Sequence, residues 1–574
     1  MDNMDLEQLK ETDIWTLYEQ GRNYCRMINM FSETDLCYRM YNDDQWNGVK
    51  LKGVEPVQLN FIKPIVRYKT GVIHSNLYAI NYSSQNFENK EFRQTAERIC
   101  EMLNKKASRI WEKDNMDIKG RTVTKDAGIN AQGIMYVTYN TEDKEINNEI
   151  IKKNDIYLGN ENDSDIQRQP YILIKQRRPL IEVVDMARLE GVSEEELKNI
   201  KPDNDNFEGS GDSSKLEKDM MVTLVTKMYK ENGTVHFAKA TRYVEIKEDT
   251  DSGLTLYPVA HFLWEEKEGS ARGEGEVKHL IPNQIEVNKT IMRRVLVAKN
   301  TAYPQKVVAV DKVVNPSAVD TVGGTVKVKG ANVDDVNKVF TNIAPAQMST
   351  DVEKLQNELI QTTRELAGAG EIATGQVNPE DASGRAILAV QQASQQPLTE
   401  QLVAYKTFIE DLARIWLDAI TVYNPDGVKL EETIQDEMSG EEVTQLVDVP
   451  QSALQELQAA VKVDITPKGA FDKYAQELSV ENLLKEGYFS GQRLGELKVY
   501  VQILDDDSTM PKQRLEEAVA FMEEEQRKIA EMNAQAQIMQ ENAMQFLMGD
   551  PDTQSQQLVD AMQQPTTEQV PVTQ

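Results

Sequence analysis

Seven apolar side chains, Leu398, Leu402, Tyr405, Ile409, Leu412, Trp416 and Ile420, fall at intervals of four, three, four, three, four and four residues. That register puts them on one stripe of a single long helix, which has to lie along an apolar partner for its whole length. Pro397 stands at its head and kinks or restarts it. A second rod precedes it: Thr350 and Glu353 have capping-box spacing, and Val352, Leu355, Leu359 and Leu366 carry a stripe up to Gly368. Between the rods lies AGAGEIATGQVNPEDASG, residues 367–384, with four glycines and one proline. The chain sets its most deformable stretch between two helices.

The first half alternates helix and strand signals. Residues 5–40 read as helical through Leu6, Leu9, Ile14, Leu17 and Tyr18, and residues 88–113 through the stripe Phe92, Ala96, Ile99, Leu103 and Ile110. GIMYVTYN (133–140), PYILIK (170–175) and PLIEVVDMA (179–187) are rich in β-branched and aromatic residues and predict strands. Ser193 and Glu196 form a capping box that opens a short helix. Residues 201–215 read as a linker or mobile loop, and Asn232-Gly233 predicts a tight hairpin. This half is a mixed α+β body.

Residues 273–300 place Val277, Leu280, Ile285, Ile291, Val295 and Ala298 at near-helical intervals, with Pro282 expected to kink the helix or mark a fresh start. PQKVVAV and GGTVKVKG then form a small strand-like patch, in which Val326-Lys327-Val328-Lys329 predicts one dry and one wet face. Residues 427–466 read as acidic loops followed by a VKVDITP strand. From 511 to 548 a nearly heptad stripe (Leu515, Val519, Met522, Ile529, Met532, Ala536, Met539, Ala543, Phe546) needs neighbours from its own chain or from other copies. The Gln-, Thr- and Pro-rich residues 549–574 read as a disordered tail. No repeat at a solenoid period is visible.

With 64 basic against 94 acidic residues the net charge is -30, a poor balance for gripping phosphates. Residues 287–340 run the other way, with nine Lys or Arg against four Asp. A solvated face is the ordinary reading of such a run; contact with DNA or an acidic partner is the functional one. No phosphate-cradling GxxxxGK[ST] and no HExxH occur, Ser383 lacks a GxSxG setting, and pairs such as Glu380-Asp381 are expected by chance in so acidic a chain. His74, His236, His261 and His279 are scattered, and Cys25, Cys37 and Cys100 are neither a disulfide framework nor a zinc site. The expectation is a non-enzymatic protein with no cofactor or metal. With no spanning apolar run and no visible signal peptide, a cytoplasmic setting without membrane fits.

The order of these segments resembles the portal proteins of tailed double-stranded DNA bacteriophages. YPVAHFLWEEKEGSARGEGEVKHLIPNQIEVNKTIMRR is similar to the portal segment in which a proline-led strand and a glycine-rich turn precede a helix with Gln and Asn four apart, here Gln284 and Asn288. DASGRAILAVQQAS (381–394) resembles the small-residue start of the long helix after the tunnel loop, and YNDDQW (41–46) has the family's look. The acidic stretches 140–168 and 201–216 have no place in that pattern and read as insertions.

The resemblance implies an α+β portal-type fold in a ring, typically of twelve copies. Residues 1–260 would be the N-terminal wing, 261–299 a leading strand and the first stem helix, 300–348 the clip and 349–367 the second stem helix. Residues 368–384 would be the tunnel loop, 385–470 the long wing helix and return strand, 471–548 the helical crown. Gly368, Gly370, Glu371, Gly375, Asn378, Glu380, Asp381 and Gly384 would form the channel constriction. Lys289, Arg293, Arg294, Lys299, Lys306, Lys327 and Lys329 would supply the few DNA or partner contacts in stem and clip. The implied partners are duplex DNA passing the channel, the packaging ATPase (large terminase), the major capsid protein, and head-completion, adaptor and tail proteins. The implied place is the portal vertex of the virion, after assembly in the host cytoplasm. A coiled-coil scaffold or adaptor explains the helical stripes but not the 300–348 module, and a metal-dependent nuclease would need an acidic site that no motif marks.

Overall fold

Thr12 caps the first described helix by accepting a hydrogen bond from Trp15 N–H at 3.2 Å. The structure, a computed structural model, describes residues 10–49, 55–74, 76–83, 90–140, 143–203, 221–302, 306–309, 311–319, 321, 325–330, 340–343, 350–370, 396–435, 442–460 and 462–469, and short helical pieces between 518 and 536. Two compact units divide the chain after Pro467.

The first unit opens with α1 (Asp13–Met27), α2 (Met30–Tyr41) and α3 (Ile62–Ile73). The rod expected over 5–40 is two helices, because Asn29 adopts a left-handed φ of 58°. Next come β1 (Asn76–Ser83), α4 (Lys90–Lys113), α5 (Met116–Asn130), β2 (Gln132–Asn140), β3 (Glu145–Ile151), β4 (Ile156–Leu158) and β5 (Tyr171–Pro179). They are followed by α6 (Leu180–Leu189), α7 (Glu194–Leu197), β6 (Met221–Glu231), β7 (Thr234–Ala240), β8 (Glu245–Asp251), β9 (Val259–Leu263), β10 (Glu265–Lys267) and β11 (Ser270–Glu274). The remainder is α8 (Glu276–Ala302), β12 (Lys306–Val308), β13 (Phe340–Asn342), α9 (Thr350–Leu366), α10 (Thr399–Val422), β14 (Val428–Gln435), β15 (Glu442–Val449), α11 (Gln451–Ala460) and β16 (Lys462–Gly469).

Two larger antiparallel sheets form, in the orders β3-β2-β9 and β4-β5-β6-β7-β8; four two-stranded pairs join β1 to β16, β10 to β11, β12 to β13 and β14 to β15. The hairpin read from Asn232-Gly233 joins Glu231 to Thr234, with φ of 53° and 91° at its two central residues. Those positive angles are what Asn and Gly accept at least cost.

Three sequence readings change. PLIEVVDMA forms α6, not a strand: Val183 and Ala187, one helical turn apart, are both fully buried in a cluster with Leu197, Val222, Leu224 and Ile246, while Ile181 is left exposed. Packing on the sheet outweighs β-propensity here. The acidic region after 427 is a β14–β15 ladder running from Val428↔Val449 to Gln435↔Glu442. Val428, Leu430 and Val449 are buried in it, so its acidic residues were compatible with a strand that has one core face. Residues 140–168, which sequence left without a place, supply β3 and β4 to the two large sheets.

The predicted stripe of α10 is the spine of the main core: Tyr405, Ile409, Leu412 and Trp416 are each at most 1% exposed. Pro397 lies in a 3-10 turn, Gln396–Leu398, immediately before α10, which begins at Thr399. Trp416 Nε1 donates to Asn148 Oδ1 of β3 (2.9 Å), and Asp418 accepts from the N–H groups of Thr255 and Leu256 (2.8 and 2.9 Å). The three cysteines are buried and unpaired. No helix among the described residues is long and apolar enough to cross a membrane. In the second unit the described residues between 518 and 536 are helical; of the predicted stripe Val519 is buried while Met522, Ile529, Met532 and Ala536 are exposed, and Leu515, Met539, Ala543 and Phe546 lie outside the described residues.

His261 on β9 accepts from Gln132 Nε2 at 3.0 Å, and the same amide nitrogen donates to Ala271 O at 3.2 Å. A proton on that imidazole nitrogen would face a donor in a desolvated site, and Arg272 adds repulsion; burial first and Arg272 second push its pKa down to about 4. His74 is lowered to about 4 as well, by burial and then Arg121. The unfolded chain takes up these protons near the ordinary value of 6.5, so their stabilising share is complete above 6.5 and is lost as pH falls from there toward 4. Melting midpoints should drop across that window, and His261→Asn should flatten the drop; an equal slope in the variant would exclude His261 as a source.

Candidate functional site

Glu276 fixes the start of α8: its carboxylate pairs with Lys69 Nζ at 2.7 Å and accepts from Trp264 Nε1 at 3.3 Å. Pro282 sits inside α8 without ending it, on the exposed side. The next turns carry the most informative polar contacts in the molecule. Gln284 Oε1 accepts from Phe61 N–H (3.0 Å) and Gln284 Nε2 donates to Leu59 O (2.8 Å). Asn288 Oδ1 accepts from Leu59 N–H (3.2 Å), and Met292 Sδ from Val57 N–H (3.1 Å).

Positions 284, 288 and 292 thus engage alternate residues 61, 59 and 57 of the segment before α3. The fit is geometric. Four residues of helix rise about 6 Å, and two residues of extended chain advance roughly 6.6 Å, so one helix face can take the place of a neighbouring strand. Gln284 is fully buried and Asn288 is 3% exposed, so neither amide has water as an alternative. The YNDDQW stretch closes the other side: Asn288 Nδ2 donates to Gln45 Oε1 (2.6 Å) and Trp46 Nε1 to Val57 O (3.2 Å). Asn60, bonded through its Nδ2 to Met40 O and Tyr41 O, caps α3 by accepting from Ile62 N–H at 3.0 Å.

Helices α8 and α9 lie side by side. Asn283 Nδ2 donates to Thr363 Oγ1 (3.0 Å), and Arg294 reaches Gln356 Oε1 (3.0 Å) and Glu353 Oε1 (3.1 Å). Numbers rise along one helix as they fall along the other, so the pair is antiparallel. Where α8 ends and α9 begins stands a small β module: β12 pairs antiparallel with β13, and Val313 bridges Val328. Val313 and Val319 are buried there with Val326 and Val328 packed against them, while Lys327 and Lys329 are exposed, as the alternation predicts.

At its far end α9 stops on Gly368. Its φ is 68°, Gly368 N–H donates to Glu365 O (2.9 Å) and Ala369 N–H to Arg364 O (2.8 Å), the two bonds of a Schellman cap. Ala367 and Ala369 are buried with Leu280 and Ile281 of α8. Gly368 therefore serves a fixed helix end and not the pliancy first read into it.

The predicted site residues fall into three groups. Lys289 and Arg293 both pair with Glu286 of their own helix (3.5 and 3.3 Å), and Arg294 ties α8 to α9. Lys299 is exposed near the end of α8, Lys306 begins β12, and Lys327 and Lys329 are exposed on the module. Gly368 and Gly370 belong to the cap region; Glu371, Gly375, Asn378, Glu380, Asp381 and Gly384 lie outside the described residues. Sequence reasoning singled out YNDDQW without assigning Gln45 a role, and it missed the 57–61 segment. The available signal was the pair of amides, Gln284 and Asn288, on a helix face otherwise occupied by Val277, Leu280, Ile281 and Val287.

A comparison with known protein families matches residues 176–570 to the Phage P22-like portal protein family, more than half of the chain. The chain belongs to that family. No individually curated protein matches it. Portal proteins of tailed bacteriophages are structural components of the head-to-tail connector at a capsid vertex and serve DNA packaging. In this portal protein the matched part begins in β5 and takes in α8, α9 and α10, whereas Gln45 and residues 57–61, which the amide ladder holds, precede it.

Proposed function

We propose that copies of this portal protein close into a ring, typically of twelve, through which double-stranded DNA enters and leaves the capsid. In this reading α8 and α9 are the stem, residues 303–349 the clip, 371–384 the loop at the narrowest point, and 471–548 the crown. The antiparallel α8–α9 pair, with a small β module where the chain turns between its helices, carries the proposal together with the family match. A conduit has to touch DNA without holding it, because each phosphate paired with Lys or Arg adds salt-dependent attraction. The net charge of -30 supports that, as does the internal pairing of Lys289, Arg293 and Arg294, which leaves few cations on the stem for phosphates. Lys327 and Lys329, exposed on the module, face the packaging ATPase first and adaptor and tail proteins afterwards; the major capsid protein surrounds the ring.

Native mass spectrometry with averaged electron-microscope views along the particle axis tests this. The expected particle is a closed ring of about a dozen copies with a central hole wide enough for a DNA duplex. An elongated dimer or trimer, unchanged by protein concentration and salt, would overturn it.

A further inference from the structure

A cavity of about 280 Å³ opens between α4, the β2–β3 turn and β14. Its apolar lining comes from Ile110, Ile146, Ile420 and Leu430, with Tyr139 beside them. Its polar lining is strongly cationic for a chain this acidic: four cations from α4, at 105, 106, 109 and 113, join Lys144 and Lys429, against only Asp143 and Glu145. Glu145 is engaged by Lys113. Lys106, Lys144 and Lys429 come from three different elements and make no ion pair among the described residues.

Two further observations mark the place. Lys106 is half-buried, and its pKa is lowered by burial first and by Arg109 second, with the Glu145 carboxylate acting the other way. Lys144 has a left-handed φ of 54°, which directs its side chain from the turn just before β3. Cations gathered from separate elements repel unless an anion lies between them. Phosphate oxygens accept from several ammonium groups at once, and an apolar floor beside a tyrosine ring takes a flat organic body.

We propose that this cavity binds a phosphate ester of about mononucleotide size, the phosphate held by Lys106, Lys144 and Lys429 and the body lying over Ile110, Ile146 and Tyr139. The proposal is independent of the ring and its channel. The same phosphate chemistry is offered by a free nucleotide and by a DNA backbone, and the test separates them. The full chain is titrated calorimetrically with ADP, with inorganic pyrophosphate and with a short blunt duplex, alongside the double variant Lys106→Gln, Lys429→Gln and a control at two exposed lysines far along the chain from the cavity residues, Lys10→Gln, Lys198→Gln. ADP should bind the parent and the control alike, more tightly than pyrophosphate, and at least about tenfold more weakly in the cavity variant. Should that double variant misfold by circular dichroism, the exposed Lys429→Gln alone should still weaken ADP severalfold. Absence of ADP binding at about 1 mM, equal affinity in the cavity variants, or binding of the duplex alone would each overturn the assignment.

Discussion

Arg272→Ala should destabilise the first unit by roughly 3–5 kcal/mol, the cost of leaving a buried partner charge uncompensated. Arg272 is 5% exposed. Its Nη2 and Nε meet the two oxygens of Glu161 at 2.6 and 2.8 Å, a fork-on-fork pair. Its other N–H groups reach Ile156 O (3.1 Å), Lys153 O (3.4 Å) and Gln132 Oε1 (3.4 Å), so one side chain binds β11 to β2, to the start of β4 and to the loop after it. Lysine should not rescue, because an ammonium cannot reproduce the planar fork. The double variant Arg272→Met, Glu161→Leu should recover much of the loss, since a buried pair replaced by apolar groups is often close to neutral. Urea unfolding of all three variants is the measurement. A single-variant loss under about 1 kcal/mol, the size of an exposed pair, would show that the site is wetter than its geometry implies.

Gln284→Leu should cost about 2–4 kcal/mol, although it nearly preserves volume. It strips a partner from Phe61 N–H and another from Leu59 O, and each buried polar group left without a partner costs about 1–3 kcal/mol. Gln284→Glu keeps the acceptor for Phe61 N–H; ionised it loses the donor to Leu59 O and buries a charge, whereas protonated it offers an O–H in place of the amide N–H, so it should fall between Leu and the parent only where the carboxyl is protonated. Hydrogen exchange gives the local readout. The amides of residues 57–61 should lose protection in the Leu variant by a larger factor than those of β6 or α10. Uniform loss across the chain would mean that Gln284 acts as a general core residue and not as the clamp of this segment.

The two predictions show where sequence reading succeeded and where it stopped. Periodicity located α4, α8, α9 and α10 through their apolar stripes, although in α9 the stripe is not the buried side, since Leu355 and Leu366 are exposed and Gln356 and Thr363 are buried; Asn232-Gly233 located its hairpin because few residues tolerate both positive φ angles. The same logic misread 179–187, where β-branched residues cover one helical turn spacing as well as an alternating one, and 427–449, where acidic side chains obscured alternating Val and Leu. Gln284 and Asn288 were visible as a pair. Their partners, residues 57–61, were not, because pairing an extended segment with a helix face leaves no periodic mark on either. The constriction residues from 371 onward lie outside the described fold, so the candidate site is legible in its frame and still a proposal at its centre.

The cap at Gly368 has a consequence for how this protein can vary. A methyl group added there would stand 3.1 Å from Pro397 Cβ, so the chain departs from the packed frame and rejoins it at neighbouring points. What lies between is closed at its neck. Doubling the length of such an excursion adds only about 0.6 kcal/mol of closure entropy, while the helix end and the start of α10 keep their contacts. A change of length after 370 therefore has to keep these two ends together, and a side chain added at Gly368 would push on Pro397 and spread them.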